Sequence, residues 1–114
     1  MAQSELTIRQ GEKGKFVILQ LQGKVDSETS PKLTEALNKL ISAGKVWIVL
    51  DMTGVSFMSS AGIGATVKAL NDTRSKKGDL RLAAVQDEVK KVYELLGFAA
   101  AFSFYPSLKQ ALEA

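Results

Sequence analysis

The 114-residue sequence contains no cysteine and no histidine. The absence of cysteine excludes disulfides, thiolate zinc sites and cysteine nucleophiles. The absence of histidine removes the commonest general base and metal ligand, and with it any Ser-His-Asp triad. Long apolar runs are missing as well, because none approaches the roughly 18–20 residues that cross a bilayer. The sequence therefore favours a binding or regulatory module over an enzyme. It also predicts a cytoplasmic protein with no membrane span.

The composition is that of an ordinary globular protein. Hydrophobic residues make up 46% and charged residues 24%, with a net charge of +3, a balance that argues against disorder. The densest basic cluster, from Arg74 to Arg81, is short, interrupted by Asp79 and free of aromatic residues. Nucleic-acid binding is therefore not expected. The length predicts a single domain over residues 1–114.

Hydrophobic periodicity predicts a β-hairpin followed by alternating helices and strands. Alternation at Leu6–Ile8 and a β-rich run at Phe16–Leu21 predict two antiparallel strands with a turn at Gly11–Gly14. Ser30 and Asp87 are predicted helix N-caps. The later elements are predicted at about residues 31–43 (helix), 46–50 (strand), 61–76 (helix), 80–85 (strand), 88–96 (helix), 101–104 (strand) and 107–112 (helix). Such alternation predicts an α/β fold, with one mixed sheet of about four to five strands and about four packed helices.

The stretch that suggests a function is Asp51–Gly64, in which a predicted loop over residues 51–60 leads into a helix. Ser59 and Ser60 lie where that helix begins, beside unpaired backbone N–H groups and the positive end of the helix dipole. Such a place accepts an anion readily, although a serine there also serves as an ordinary N-cap. Gly62 and Gly64 permit a close approach of another group, but they do not form a P-loop motif.

Three segments together suggest a family. Asp51–Gly64, with the sequence DMTGVSFMSSAGIG, resembles the signature of the STAS domain of stand-alone bacterial anti-sigma factor antagonists. Gly23–Asp26 (GKVD) is similar to the family's pattern at the end of its second strand. Phe104–Leu112 (FYPSLKQAL) resembles its C-terminal segment. The resemblance covers the whole chain and implies a STAS-like fold.

The resemblance implies a regulatory protein with no enzymatic activity and no cofactor. Members of the family bind a cytoplasmic anti-sigma factor serine kinase and thereby free a sigma factor. The kinase ends the interaction by phosphorylating one serine, and a serine phosphatase restores it. The matching serine here is Ser60. Ser59 is the alternative, because many members have Asp at the position before the acceptor.

The resemblance also implies a partner-binding surface around the acceptor serine. Asp26 matches a loop aspartate that lies near the acceptor and helps to contact the kinase. Both loops should leave the sheet at the carboxyl ends of parallel strands, where ligands of α/β proteins gather. The residues predicted to contact the partner are Asp26, Ser27, Ser56, Met58, Ser59, Gly62 and Ile63.

Three other functions are compatible with parts of the sequence. A non-phosphorylated STAS adaptor subunit of a lipid-transport or stressosome-like assembly would share the fold. A nucleotide-binding module would use the helix N-terminus with Gly62 and Gly64. An enzyme would have to use Lys68, Asp26, Asp51 and Tyr93 as its catalytic groups. Their spacing in the sequence matches no recognisable acid–base pair. Tyr93 is instead predicted to pack in the core with its hydroxyl at the rim.

Overall fold

The computed structural model describes residues 5–113, which form one five-stranded sheet and four α-helices. The strand order is β1-β2-β3-β4-β5. β1 runs antiparallel to β2, and the other neighbouring strands are parallel. The elements are β1 Leu6–Lys13, β2 Phe16–Val25, α1 Ser30–Ser42, β3 Trp47–Met58, α2 Ser60–Ser75, β4 Asp79–Ala83, α3 Asp87–Leu95, a 3₁₀ turn Ala99–Ala101, β5 Ser103–Tyr105 and α4 Leu108–Glu113. This architecture confirms the predicted α/β fold. The predicted single domain also includes residues 1–4 and 114, which lie outside the described residues.

The β1–β2 hairpin is longer than the sequence pattern predicts. β1 continues through Gly11 to Lys13, so the turn consists of Gly14 and Lys15. Gly14 has φ +60°, a left-handed conformation that glycine adopts without strain. The turn predicted from Gly11 onward is therefore misplaced, because a solvated edge strand carries polar residues on both faces and lacks hydrophobic alternation.

The sheet is covered on both faces. The main core lies between the sheet and helices α1, α2 and α3, and a second core joins Phe16, Val49 and Ala83 to Ala111 of α4. Ile48 contributes to the main core and Val49 to the second, as the alternation of a strand requires. The strand predicted from the five-residue apolar run is therefore central and buried. Within residues 5–113, no helix has both the length and the apolar composition needed to span a membrane.

Two predicted N-caps are each displaced by one residue. α1 begins at Ser30 itself, and its N-cap is Thr29, whose side chain makes no capping bond to the helix. The Thr29 hydroxyl instead donates to the Lys24 carbonyl at 2.7 Å. α3 likewise begins at Asp87, and Gln86 is its N-cap.

The largest difference from the sequence-based prediction concerns residues 51–58. The sequence pattern predicts a loop there, but these residues continue β3 to its last residue, Met58. The register between β2 and β3 shifts twice beyond Gln20, so β3 accommodates two extra residues as bulges. The buried apolar side chains of this segment are therefore spaced by three, at Met52, Val55 and Met58. The loop prediction is wrong because the bulges remove the two-residue period by which a strand is identified.

Asp51 and Gly54 stabilise the first bulge. The Asp51 carboxylate accepts hydrogen bonds from the Thr53 hydroxyl at 2.7 Å and the Thr53 N–H at 3.1 Å. A Cβ on Gly54 would lie 3.2 Å from the Leu21 carbonyl oxygen, so the bulged strand approaches β2 closely. Asp51 thus lies within the strand and does not end it.

Candidate functional site

The ends of β2 and β3 bring the two predicted loops together. Val25 pairs with Met58 in parallel register, and the Ser59 N–H donates to the Val25 carbonyl at 2.8 Å. The turn that begins at Asp26 therefore lies beside the junction between β3 and α2. The parallel topology predicted from the sequence accounts for this proximity.

Ser59 is the N-cap of α2. Its backbone is extended, and its Oγ accepts a hydrogen bond from the Gly62 N–H at 3.3 Å. The residue is half-buried. Its hydroxyl oxygen therefore satisfies one of the N–H groups that a helix leaves unpaired at its start.

Ser60 is the first residue of α2 and is exposed. Within residues 5–113, its hydroxyl has no hydrogen-bond partner. The backbone N–H groups of the first turn and the positive end of the helix dipole lie next to it. The two adjacent serines therefore differ: one caps the helix, and the other presents its hydroxyl to solvent.

Asp26 organises the turn between β2 and α1. Its Oδ1 accepts hydrogen bonds from the N–H groups of Glu28 at 2.9 Å and Thr29 at 3.0 Å, and it lies 3.2 Å from the Thr29 hydroxyl oxygen. The Ser30 N–H donates to the Asp26 carbonyl at 2.8 Å. The Asp26 side chain thus stabilises the turn before α1, and its backbone carbonyl accepts from the first N–H of the helix. Its neighbour Ser27 is exposed.

Three residues predicted to contact a partner lie beneath the surface. Met58 is 1% exposed and Ile63 is 0% exposed. Gly62 is also buried, and a Cβ there would lie 2.6 Å from Val25 Cγ1. Their side-chain positions face the core, so they offer a partner no exposed side chain in this structure, and their contact with a partner stays a prediction. They are part of the core beneath the Ser59–Ser60 turn.

Phe57 is the exposed apolar residue that the sequence reasoning missed. Its side chain is 47% exposed, and its register partner on β2 is Lys24. The two bulges together leave the alternation of faces unchanged, so Met58 lies on the core-facing side of β3 with Ile48 and Leu50, and Phe57 beside it faces outward. The feature of the sequence that could have indicated this exposed residue is that Phe57 is the aromatic residue of the Asp51–Gly64 motif. The exposed or half-exposed residues at this edge, here named the Ser60 surface, are Asp26, Ser27, Ser56, Phe57, Ser59 and Ser60.

A buried polar contact lies below the junction. The Tyr93 hydroxyl is 2.8 Å from Thr66 Oγ1 and 3.5 Å from Met58 Sδ. Tyr93 is 0% exposed, so the prediction that its hydroxyl reaches the rim is wrong. Burial raises the pKa of Tyr93, and the hydrogen bond to Thr66 opposes this only in part. The phenol therefore stays protonated at neutral pH.

The four groups considered for an enzyme lie in different environments. Lys68 is exposed and pairs with Asp72 at 2.7 Å. The carboxylates of Asp26 and Asp51 accept hydrogen bonds within their own turn or bulge, and Tyr93 is enclosed in the core. The structure does not bring these groups together as an acid–base pair.

A mixed sheet with the antiparallel strand at one edge, and a serine at the start of the second helix, defines a STAS-like domain. The STAS domain profile matches residues 7–111, and the chain belongs to the STAS domain family. It is 31% identical over 77 residues to the anti-sigma-B factor antagonist of Listeria monocytogenes, covering 68% of each chain.

Solved structures share the fold at lower sequence identity. An anti-sigma factor antagonist from Mycobacterium paratuberculosis superposes with a TM-score of 0.88 at 21% identity, covering 98% of this chain and 95% of that one. The unphosphorylated form of the anti-sigma factor antagonist SpoIIAA gives 0.81 at 18% identity, covering 94% of each chain. The phosphorylated form of Bacillus SpoIIAA gives 0.75 at 17% identity, covering 94% and 97%.

Proposed function

We propose that this protein is an anti-sigma factor antagonist whose binding to an anti-sigma factor serine kinase is ended by phosphorylation of Ser60. The observation that carries the proposal is the exposed Ser60 hydroxyl beside a serine whose oxygen already caps α2. The name of the Listeria relative supports the class of partner. The phosphorylated form of SpoIIAA supports a phosphate on a protein of this fold. A serine phosphatase would reverse the modification, and both reactions would take place in the cytoplasm.

A phosphate on Ser60 would be tolerated by the protein itself. It adds about 1.5 to 2 negative charges and three strong acceptor oxygens. The first residue of a helix offers unpaired N–H groups and the positive end of the dipole, both of which favour an anion. Because Ser60 is exposed, the phosphate would stay in solvent and leave the core unchanged. The phosphate would therefore change the charge of the surface that a partner contacts.

Release of the partner follows from the cost of burying that charge. The Ser60 surface combines an exposed aromatic side chain, Phe57, with small polar residues. Aromatic anchors often dominate the energy of an interface. A phosphate trapped beside such an anchor without a cation would lose its hydration, at a cost of roughly 3–5 kcal/mol. That cost corresponds to a loss of affinity of about 10²- to nearly 10⁴-fold.

The phosphorylation test uses the kinase that co-purifies with this protein from extracts of its own cells. The substrates are the unmodified protein, Ser60→Ala and Ser59→Asp. Aspartate caps a helix as well as serine does, so Ser59→Asp keeps an acceptor for the Gly62 N–H and removes the competing hydroxyl, while adding one negative charge. We expect mass spectrometry to find one phosphate on the unmodified protein and on Ser59→Asp, and none on Ser60→Ala.

The other outcomes of this test are also informative. Phosphate mapped to Ser59 alone would show that the capping serine is the acceptor. If neither serine is modified while the partner still binds, the non-phosphorylated STAS adaptor becomes the better description.

The docking test compares exposed apolar residues at two places. Phe57→Ser should weaken binding to the kinase at least tenfold, as expected for an interface anchor. Leu95→Ser is the matched control, because Leu95 is 84% exposed but belongs to α3. Lys109→Ala on α4 should likewise leave binding unchanged. Equal effects of Phe57→Ser and Leu95→Ser would contradict a docking surface around Ser60.

A further inference from the structure

We propose that the hydroxyl groups of Tyr93 and Thr66 position Ser60 for phosphorylation by holding the β3–α2 junction from below. The proposal rests on the proposed phosphorylation of Ser60. Neither residue belongs to the Ser60 surface, and both are fully buried. They are therefore positioning residues, which act through Met58 and through the first turn of α2.

One connection runs through the helix. The Thr66 hydroxyl donates to the Ile63 carbonyl at 2.7 Å. A hydroxyl has a single hydrogen, so the Tyr93 hydroxyl is the donor in its 2.8 Å contact with Thr66 Oγ1. The Ile63 N–H in turn donates to the Ser59 carbonyl at 2.9 Å. Tyr93 on α3 is thus linked, through Thr66 and Ile63, to the residue immediately before Ser60.

The second connection runs through the strand. Met58 Sδ lies 3.5 Å from the same Tyr93 hydroxyl. Met58 ends β3 and supports the first turn of α2, where a Cβ on Gly62 would lie 3.0 Å from Met58 Cγ. The Tyr93 hydroxyl therefore contacts both elements that meet at the junction. In the sequence, Ser59 and Ser60 lie between Met58 and Thr66, the two residues that the Tyr93 hydroxyl contacts.

The ring of Tyr93 is held independently of its hydroxyl. Phe102 and Phe104 pack edge-on against it, with ring centroids at 5.1 and 5.7 Å. Tyr93→Phe should therefore keep the ring in place and remove only the hydroxyl. Thr66 Oγ1 would lose its donor in a site without water access, where an unmade hydrogen bond is expensive. The expected effect is a looser β3–α2 junction in a domain that still folds.

Hydrogen exchange measures this loosening without any kinase. The amides to follow are those of Gly62 and Ile63, which bond to the Ser59 side chain and carbonyl. Loss of one buried hydrogen bond should speed their exchange about fivefold in Tyr93→Phe. The amides of α1 should change much less. Thr66→Ser, which keeps the hydroxyl, should retain most of the protection.

Thr73→Val is the matched control for losing a buried hydroxyl. Thr73 is as buried as Thr66, lies in the same helix, and donates to the carbonyl three residues before it, Leu70, at 2.9 Å. Within residues 5–113 its hydroxyl makes no hydrogen bond to Tyr93 or Met58. Thr73→Val should leave exchange at Gly62 and Ile63 unchanged, whatever it does to global stability.

The kinase then gives the functional readout. Tyr93→Phe changes no residue of the Ser60 surface, so KM should stay the same. A displacement of the acceptor oxygen by about 1 Å can slow a reaction up to about 100-fold, so we expect kcat to fall at least threefold. Thr73→Val should change neither constant.

Two results would overturn the proposal. One is exchange at Gly62 and Ile63 in Tyr93→Phe that is unchanged, or raised no more than elsewhere. The other is an unchanged kcat in that variant. If the unmodified protein is never phosphorylated on Ser60, the proposed function fails instead, while the exchange result still reports on the junction.

Discussion

Alanine substitution at two glycines of α2 should change stability in opposite directions. Gly62 and Gly64 lie in the first part of the helix, and neither has a positive φ. A Cβ on Gly62 would lie 2.6 Å from Val25 Cγ1 and 3.0 Å from Met58 Cγ. A Cβ on Gly64 would meet no heavy atom within 4 Å. The two sites therefore differ in the space available for one methyl group.

The expected magnitudes follow from two effects. Replacing glycine by alanine within a helix stabilises it by about 0.5–1 kcal/mol, and both variants gain this. At Gly62 the methyl must displace Val25, a stiff β-branched side chain on β2, together with Met58. Overpacking of this kind costs about 1–3 kcal/mol. Because the helix gain is common to both variants, Gly62→Ala should be about 1–3 kcal/mol less stable than Gly64→Ala.

Urea unfolding followed by circular dichroism tests this comparison. With a slope of about 2 kcal/mol per molar urea, a difference of about 2 kcal/mol separates the two midpoints by about 1 M. Gly64→Ala should unfold at a slightly higher urea concentration than the unmodified protein. Equal midpoints for the two variants at equal slopes would refute the close packing of the first turn of α2 against β2 and β3.

Three further predictions concern the charge at the site, the turn at Asp26 and the buried phenol. Ser60→Asp should melt at or slightly above the temperature of the unmodified protein, because a negative charge at a helix N-terminus contributes about 0.3–1 kcal/mol, and it should lose most affinity for the kinase in a titration. A sharp drop in its melting temperature would contradict an exposed Ser60 side chain. Asp26→Ala should lower the free energy of unfolding by about 1–2 kcal/mol, because the N–H groups of Glu28 and Thr29 lose their acceptor, and Asp26→Asn should recover most of this in urea titrations. Burial raises the pKa of Tyr93 in the folded protein, whereas the unfolded chain ionises near pH 10, so its contribution to stability is complete below about pH 10 and declines above it, by at most about 1.4 kcal/mol per pH unit. Tyr93→Phe should lack this component of the alkaline decline, and identical pH profiles for the two proteins would contradict it.

The elements that could be predicted from the sequence are those with strong local signals. The apolar face of α1, with Leu33, Leu37 and Leu40, has the spacing of a helix and is buried as that spacing requires. Gly44 follows the end of α1 with φ +83°, the conformation that favours glycine after a helix. The apolar run ending at Leu50 indicates a strand covered on both faces. In each case, residues close in sequence determine the structure.

The second half of β3 could not be predicted in this way. Its two bulges are set by the pairing of β3 with β2, a strand more than 20 residues away in the sequence. Nothing within residues 51–58 reveals that pairing, and the bulges make the local pattern resemble a loop. The same register decides that Phe57 faces solvent and Met58 the core. An error about one strand therefore became an error about which side chains are exposed.

The two adjacent serines show what a single hydrogen bond adds to a sequence motif. From the sequence alone, either hydroxyl could be the phosphate acceptor, and the departure from the Asp found in many STAS antagonists leaves the choice open. In the structure, Ser59 Oγ accepts from the Gly62 N–H, and an aspartate at the same position could supply an equivalent oxygen. Ser59 and Asp are therefore interchangeable as caps. Serine at position 59 in place of aspartate therefore preserves the start of α2, and Ser60, the next residue, keeps the exposed hydroxyl.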